Sequence, residues 1–178
     1  MSLSIALTIG LLVLPIIWFI TDPRPFKERL EQYLTVKGII VTVIEIVVVS
    51  LNYLNSNTLN LNNIFPYLGL VLYFLGLFIA IWAKLTMGKH WGRPAEYSFK
   101  RQNKLIVSGP FKYSRNPIYL GLILAFLGYS LALRSVYIIL NILVIGYFYY
   151  AAVKEEKILE KIFGQEYLNY KSKVGRFV

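Results

Sequence analysis

Two short segments, distant in the chain, carry residue types that could bind a charged small molecule. The first is GPFKYSRNPIYLG at residues 109–121, which places basic and tyrosine side chains directly before an apolar run. Asn116 and Pro117 are typical first residues of a helix, whose free N–H groups and dipole favour an anion. The second segment contains two adjacent carboxylates, Glu155 and Glu156, which suit an ammonium group or ribose hydroxyls.

The composition places these residues in a membrane protein. Of 178 residues, 57% are hydrophobic, against roughly 45–50% in ordinary globular domains. The chain has no cysteine and a single histidine, His90, so we expect no disulfide, no thiolate chemistry and no bound metal. The net charge of +10 comes from basic residues between apolar runs. We therefore expect them to face lipid headgroups and not nucleic acid.

Five apolar segments have about the twenty residues that a helix needs to cross a bilayer. A lone strand would leave its backbone unpaired in lipid, so even the segment rich in isoleucine and valine is predicted to be helical. The sequence therefore predicts an all-α integral membrane fold with one domain over residues 1–178. The predicted spans are 3–20, 36–54, 64–87, 117–133 and 135–153.

Lysine and arginine are distributed unevenly between the two sides of these spans. Of the 19 such residues, all except Arg134 fall on one side. Because cytoplasmic loops carry the excess of lysine and arginine, we expect the N-terminus outside and the C-terminal tail in the cytoplasm. The composition, with no evident targeting signal, is compatible with a multi-pass protein of a prokaryotic cell membrane.

The fourth and fifth predicted spans are joined by Arg134 alone, so they should form a tight antiparallel hairpin. Their nearly equal lengths would place Pro117 opposite about Ala151, and residues 113–116 opposite the two glutamates. The sequence thus predicts a site on the cytoplasmic face built from residues 84–119 and 151–178. Its charges match S-adenosylmethionine, which carries carboxylate, ammonium, ribose and sulfonium groups. Alternatively, these residues have no binding role: Asn116 and Pro117 begin a helix, and the two glutamates mark the end of a membrane span.

The two segments also resemble the integral-membrane methyltransferase family, which includes isoprenylcysteine carboxyl methyltransferases and phospholipid N-methyltransferases. The resemblance rests on GPFKYSRNPIYLG, KEEKILEKIFGQEYLNY and KVGRFV, in that order, within residues 84–178. It implies S-adenosylmethionine as cofactor. The residues that it implies for binding are Tyr113, Arg115, Asn116, Pro117, Tyr119, Gly121, Glu155 and Glu156. Asn116 replaces the histidine usual in the family, and it keeps a donor and an acceptor but cannot take up a proton.

The methyl acceptor is less tightly constrained. A carboxylate is already ionised at neutral pH, whereas an amine must lose a proton before it attacks. Because the motif holds no histidine, we expect the carboxylate of an isoprenylcysteine-like lipidated substrate, clamped by Arg176 or Arg93 as the catalytic arginines. Each could instead be an ordinary charge, Arg176 in a solvated tail and Arg93 at lipid headgroups. Two alternatives stay open: methylation of an ethanolamine headgroup, and a non-catalytic protein that binds lipid headgroups.

Overall fold

The computed structural model describes residues 3–22, 25–34, 36–54, 59–88 and 104–178, and every regular element in these ranges is helical. The all-α prediction is therefore confirmed for the described residues. Arg93 and His90 lie outside them. The α-helices are α1 (Leu3–Ile20), α2 (Phe26–Tyr33), α3 (Val36–Tyr53), α4 (Ile64–Met87), α5 (Pro117–Ala132), α6 (Asn141–Phe163) and α7 (Gln165–Lys171), with 3-10 turns at Gly109–Lys112 and Val136–Leu140.

Three of the described helical segments are long and apolar enough to cross a membrane: Leu3–Ile20, Ile64–Met87 and Val136–Phe163. Helix α5 is also apolar but shorter, with 16 residues. Large hydrophobic side chains on α1, α4 and α6 are exposed, as expected for faces that contact lipid. The protein is therefore a multi-pass membrane protein.

The last predicted span differs from the structure at both ends. A 3-10 turn at Val136–Leu140 replaces the start of the predicted helix, and α6 then continues ten residues beyond its predicted end at Val153. The extension, KEEKILEKIF, consists mainly of strong helix formers. It ends at Gly164, whose φ of 49° an L side chain would rarely adopt.

Helices α4 and α5 approach until their backbones touch. A Cβ atom added at Gly69 would lie 2.3 Å from the Ala132 nitrogen, and one at Gly76 would lie 2.5 Å from the Ala125 nitrogen. The glycine of α5 at position 128 meets the Tyr73 nitrogen at 2.3 Å in the same way. Small residues permit this close approach, which is a usual device of helix pairs in membranes.

Two buried tyrosines attach the N-terminal helices to this pair. The Tyr73 hydroxyl of α4 donates to the Leu7 carbonyl of α1 at 2.7 Å. The Tyr129 hydroxyl of α5 shares a 2.7 Å hydrogen bond with the Thr8 hydroxyl and makes a longer, 3.4 Å contact to the Val49 carbonyl of α3. Helix α5 is thereby tied to the N-terminal helices near its C-terminal end.

The turn between α5 and α6 is anchored on a preceding loop. Arg134 has a φ of 51°, its carbonyl accepts from the Leu59 N–H at 2.7 Å, and its side chain donates to Asn63 at 2.6 Å. Beyond the turn, Asn141 donates to the Ser130 hydroxyl at 2.9 Å. The short link therefore places α5 and α6 side by side.

Candidate active site

The site begins where the chain enters α5. Asn116 lies at the N-cap position, as expected, but its side chain makes no capping hydrogen bond. Its amide nitrogen instead donates to the Glu156 carboxylate at 2.9 Å and to the Arg176 carbonyl at 3.2 Å. The Asn116 side chain therefore contributes to the site and does not cap the helix, because a buried carboxylate and a nearby carbonyl accept from its amide group.

Glu156 is the central acceptor of the site. Its side chain is 3% exposed, and Arg176 contacts it twice, from Nε at 2.8 Å and from Nη2 at 3.2 Å. Arg115 approaches it from the other side at 3.3 Å. One buried carboxylate thus faces two guanidinium groups and one amide, so its charge is already compensated within the protein.

The C-terminal tail completes this arrangement through its main chain. The Gly175 carbonyl accepts from the Arg115 N–H at 3.0 Å, and the Arg176 carbonyl accepts from the Asn116 N–H and the Ser114 hydroxyl, both at 3.1 Å. Phe177 packs against the hydrophobic core that α5 and α6 share. The tail is therefore a docked part of the site.

The Arg176 guanidinium reaches the outer face of α6. It donates from Nη1 to the Tyr149 hydroxyl at 2.8 Å and lies 4.9 Å from the centre of that ring. Its hydrogen bonds to Glu156 raise the pKa of the guanidinium. The charge of Arg176 is thus permanent and is shared between a buried carboxylate and the exposed Tyr149.

Glu155 occupies a different environment from its neighbour. The apolar part of α6 ends at Val153, and Glu155 is half-buried in the charged extension beyond it. Its described hydrogen-bond partner is the Tyr119 hydroxyl, at 3.0 Å, on a ring that stacks against Phe148 at 5.4 Å. Burial raises the pKa of the Glu155 carboxyl to about 7, the Tyr119 hydrogen bond opposes this, and the nearby Glu156 charge adds to it. Glu155 is therefore the carboxylate with capacity to bind a cation.

The structure brings six of the predicted residues together and places two elsewhere. The clustered residues are Arg115, Asn116, Tyr119, Glu155, Glu156 and Arg176. Tyr113 has a side chain that is 72% exposed, while Gly121 lies in the α4–α5 interface, where a Cβ atom would meet the Gly76 carbonyl at 2.6 Å. Pro117 is buried as the first residue of α5.

Two further residues position the site, a third packs beside them, and none of the three was predicted as a site residue. Ser114 bonds the tail, and Tyr170 on α7 donates to the Phe111 carbonyl at 2.6 Å, fixing the turn before α5. Burial raises the pKa of the Tyr170 hydroxyl to about 12, so it stays a donor. Tyr167 is fully buried beside it. The three-residue spacing of the two tyrosines could have indicated one buried face of α7.

Comparisons with known proteins identify the family of the chain. The phospholipid methyltransferase family model matches residues 64–166, more than half of the chain. Helices α4 to α6 therefore lie within the match, while Arg176 and the tail lie beyond it.

One curated relative is the protein-S-isoprenylcysteine O-methyltransferase of Saccharomyces cerevisiae, 31% identical over 110 residues, which are 61% of this chain and 46% of the relative. A solved structure of the eukaryotic intramembrane Ras methyltransferase ICMT (isoprenylcysteine carboxyl methyltransferase) is 18% identical, with a TM-score of 0.68, over 90% of this chain and 59% of that one. The chain thus spans about half the length of these proteins, and the structural match shows a shared fold. On the strength of the family match, the chain belongs to the phospholipid methyltransferase family.

Proposed function

We propose that the protein is an S-adenosylmethionine-dependent methyltransferase of the membrane, and that its acceptor is the carboxylate of an isoprenylcysteine-like lipidated substrate. The observation that carries this proposal is that two adjacent carboxylates have different surroundings. The charge of Glu156 is compensated by two arginines, whereas Glu155 faces no cation among the described residues. Family membership supports the reaction, and the name of the yeast relative supports the acceptor.

The cofactor fits the residues present. S-adenosylmethionine would supply an activated methyl group, which leaves in an in-line displacement once the acceptor is aligned with it. Glu155 would hold the cationic part, oriented by the Tyr119 hydroxyl at 3.0 Å. Asn116 acts as a donor to Glu156 at 2.9 Å. An asparagine can take over a hydrogen-bonding role from histidine, so the site does not depend on a proton acceptor at this position.

Arg176 is the proposed clamp for the acceptor carboxylate. Its Nη1 group reaches the exposed Tyr149 on the outer face of α6, where an amphiphile could approach from the lipid. If the guanidinium turned towards the acceptor, Glu156 would keep its contacts with Arg115 and Asn116. The exchange therefore leaves no buried carboxylate without a partner. Arg93 stays a second candidate, outside the described residues.

The proposed topology has five spans, with α3 and α5 joining the three segments already identified as long enough. The N-terminus would lie outside and the tail inside, because the lysine and arginine excess falls on the side of the site. The cofactor would then enter the site from the cytoplasm. We propose that the membrane is that of a prokaryotic cell.

An ethanolamine headgroup is the second candidate acceptor, and one observation favours it. An amine must lose a proton before it attacks, and burial raises the pKa of the Glu155 carboxyl to about 7, which suits a proton acceptor at neutral pH. The description of the family model also names phospholipid methyltransferases. A non-catalytic headgroup-binding protein is the third candidate, and it predicts no binding of S-adenosylmethionine.

A methyl-transfer assay separates these functions. The purified protein in lipid nanodiscs would receive S-adenosylmethionine with a radiolabelled methyl group, together with either a farnesylcysteine derivative or phosphatidylethanolamine. We expect label in a product that base hydrolyses, as a methyl ester is. Label that resists base and stays in the phospholipid would replace the carboxylate proposal with the amine one. Absence of transfer to either acceptor would contradict both.

Replacing Arg176 with alanine is expected to lower methyl transfer by roughly 100-fold, the usual loss when one stabilising donor is removed from a reacting group. Affinity for S-adenosylmethionine should fall much less, since the main-chain bonds of the tail remain. Lys173→Ala is the matched control, because Lys173 is an exposed cation of the same tail. The comparison needs kcat/KM for the acceptor and Kd for the cofactor. Equal losses in both would remove Arg176 from the acceptor role.

Affinity for S-adenosylmethionine is expected to rise with pH. The Glu155 carboxyl has a pKa of about 7, so it is mostly protonated at pH 5.5 and half ionised at pH 7. Because only the ionised form attracts a cation, Kd should fall about tenfold across this range. Titration calorimetry would measure the trend, with Glu155→Gln as the variant that should show none. A Kd that does not depend on pH would show that Glu155 does not bind the cation.

A further inference from the structure

Helix α2, between α1 and α3, presents a stripe of exposed apolar side chains. Phe26, Leu30 and Leu34 are 61%, 41% and 62% exposed and follow one another at four-residue intervals. At 3.6 residues per turn, that spacing places all three on one side of the helix and its C-cap. In water, such a stripe would leave apolar surface exposed and would not stabilise an eight-residue helix. The stripe therefore requires an apolar neighbour.

The position of α2 is fixed by contacts with the last turn of α1. Arg29 donates from Nη1 to the Phe19 carbonyl at 2.8 Å. Its guanidinium lies 5.1 Å from the centre of the Phe19 ring and 5.9 Å from that of Phe26, and these two rings meet edge to face. Since α1 is long enough to span the bilayer and ends at Ile20, α2 lies where a membrane-spanning helix leaves the lipid.

The charges of α2 follow the same geometry. By helical register, Lys27 and Arg29 fall on the two flanks of the apolar stripe, and position 28, a glutamate, falls on the opposite side. Basic residues at the flanks can keep their charges at headgroup level while their stems cover apolar surface. This arrangement is typical of helices that lie in the membrane interface.

We propose that α2 is an interfacial helix that binds the phospholipid surface of the bilayer. Phe26, Leu30 and Leu34 insert among the upper acyl chains, continuous with the exposed Ile20 at the end of α1. The exposed Lys27 contacts headgroup phosphates and favours anionic phospholipids. This interaction is separate from methyl transfer and does not depend on it.

Single-cysteine spin labelling tests the proposal without background, because the chain has no cysteine. Leu30→Cys and Leu34→Cys would be labelled in nanodiscs of phosphatidylcholine with phosphatidylglycerol, and Glu28→Cys would be the matched control on the opposite side of the helix. We expect severalfold more collisions with oxygen, which enters lipid, than with a water-soluble nickel chelate at positions 30 and 34. The ratio should be reversed at position 28.

Other occupants of the stripe give different results. Labels at positions 30 and 34 that are shielded from both reagents would show that protein covers the stripe, either a second copy or another chain. Labels that collide mainly with the nickel chelate would place it in water. Either result overturns the proposal. The charge preference is tested by omitting phosphatidylglycerol, which should bring the Leu30→Cys label closer to water. If the label depth did not change on this omission, a role for Lys27 would be contradicted. The same would follow if the depth responded to phosphatidylglycerol as strongly in the Lys27→Gln variant as in the protein with Lys27.

Discussion

Glu156→Gln is expected to destabilise the protein more than other single changes in the site. Glutamine keeps the shape of the side chain but removes the charge that two guanidinium groups share at 2.8 and 3.3 Å. Arg115 is almost completely buried, so its charge would stay in a poorly solvated place without a counter-ion. Removing one partner of a buried ion pair costs about 3–5 kcal/mol.

Thermal unfolding in detergent, followed by tyrosine and tryptophan fluorescence, measures this loss as a lower Tm. The matched control is Glu160→Gln. Glu160 lies on the same extension of α6, and the change breaks its ion pair with Lys171 of α7. That pair is about one-third exposed, and such pairs contribute up to about 1 kcal/mol. We expect a Tm for Glu160→Gln close to the wild type and methyl transfer abolished only by Glu156→Gln. Similar Tm values for the two variants would mean that Glu156 does not hold the site together.

Gly128→Ala is expected to disrupt the packing of α4 against α5. The added Cβ atom would lie 2.3 Å from the Tyr73 nitrogen and 2.6 Å from the Gly69 carbonyl oxygen. Both are backbone atoms, so no side chain can rotate to make room and the two helices must separate. Overpacking of this kind costs about 1–3 kcal/mol and occasionally more. The upper end is expected here, because separation also moves Tyr129 away from Thr8.

The matched control for this prediction is Gly146→Ala in α6. No atom lies within 4 Å of a Cβ added there, and alanine favours a helix over glycine by about 0.5–1 kcal/mol. The Tm should therefore fall for Gly128→Ala and stay equal or rise for Gly146→Ala. If both variants unfolded at the temperature of the wild type, the direct backbone contact between α4 and α5 would be refuted.

The helices were largely predictable from the sequence because lipid constrains their length. Apolar runs of bilayer length set the ends of α1 and α4 at the predicted residues, and α3 and α5 end one residue earlier than predicted. The proximity of Glu155 and Glu156 to the start of α5 was also predicted, from the short link at Arg134. The structure has a longer link, with a 3-10 turn at Val136–Leu140, but it still reverses the chain. The extension of α6 was missed, since the prediction ended the span with the apolar residues and ignored helix propensity in water.

The hydrogen bonds and ion pairs within the site were not predictable in the same way. Cofactor binding by Glu156 stays a prediction. Its ion pair with Arg176 was not predicted, because Arg176 comes from a tail with no hydrophobic periodicity to indicate where it docks. Gly121 was assigned to the cofactor motif, and its contact with Gly76 gives it a packing role that only the relative position of two helices reveals. Asn116 showed its role only when its acceptor, Glu156, was known.

The central claim is that Glu155, at the start of the charged part of α6, holds a cationic cofactor beside α5. Titration calorimetry of S-adenosylmethionine into the purified protein in nanodiscs tests it most directly, with wild type, Glu155→Gln and the control Glu160→Gln measured at pH 7.5. We predict saturable binding by the wild type and by Glu160→Gln, and at least tenfold weaker binding by Glu155→Gln, as expected when a buried carboxylate that pairs with a cation is lost. Equal binding by all three proteins, or none by the wild type, would contradict the account.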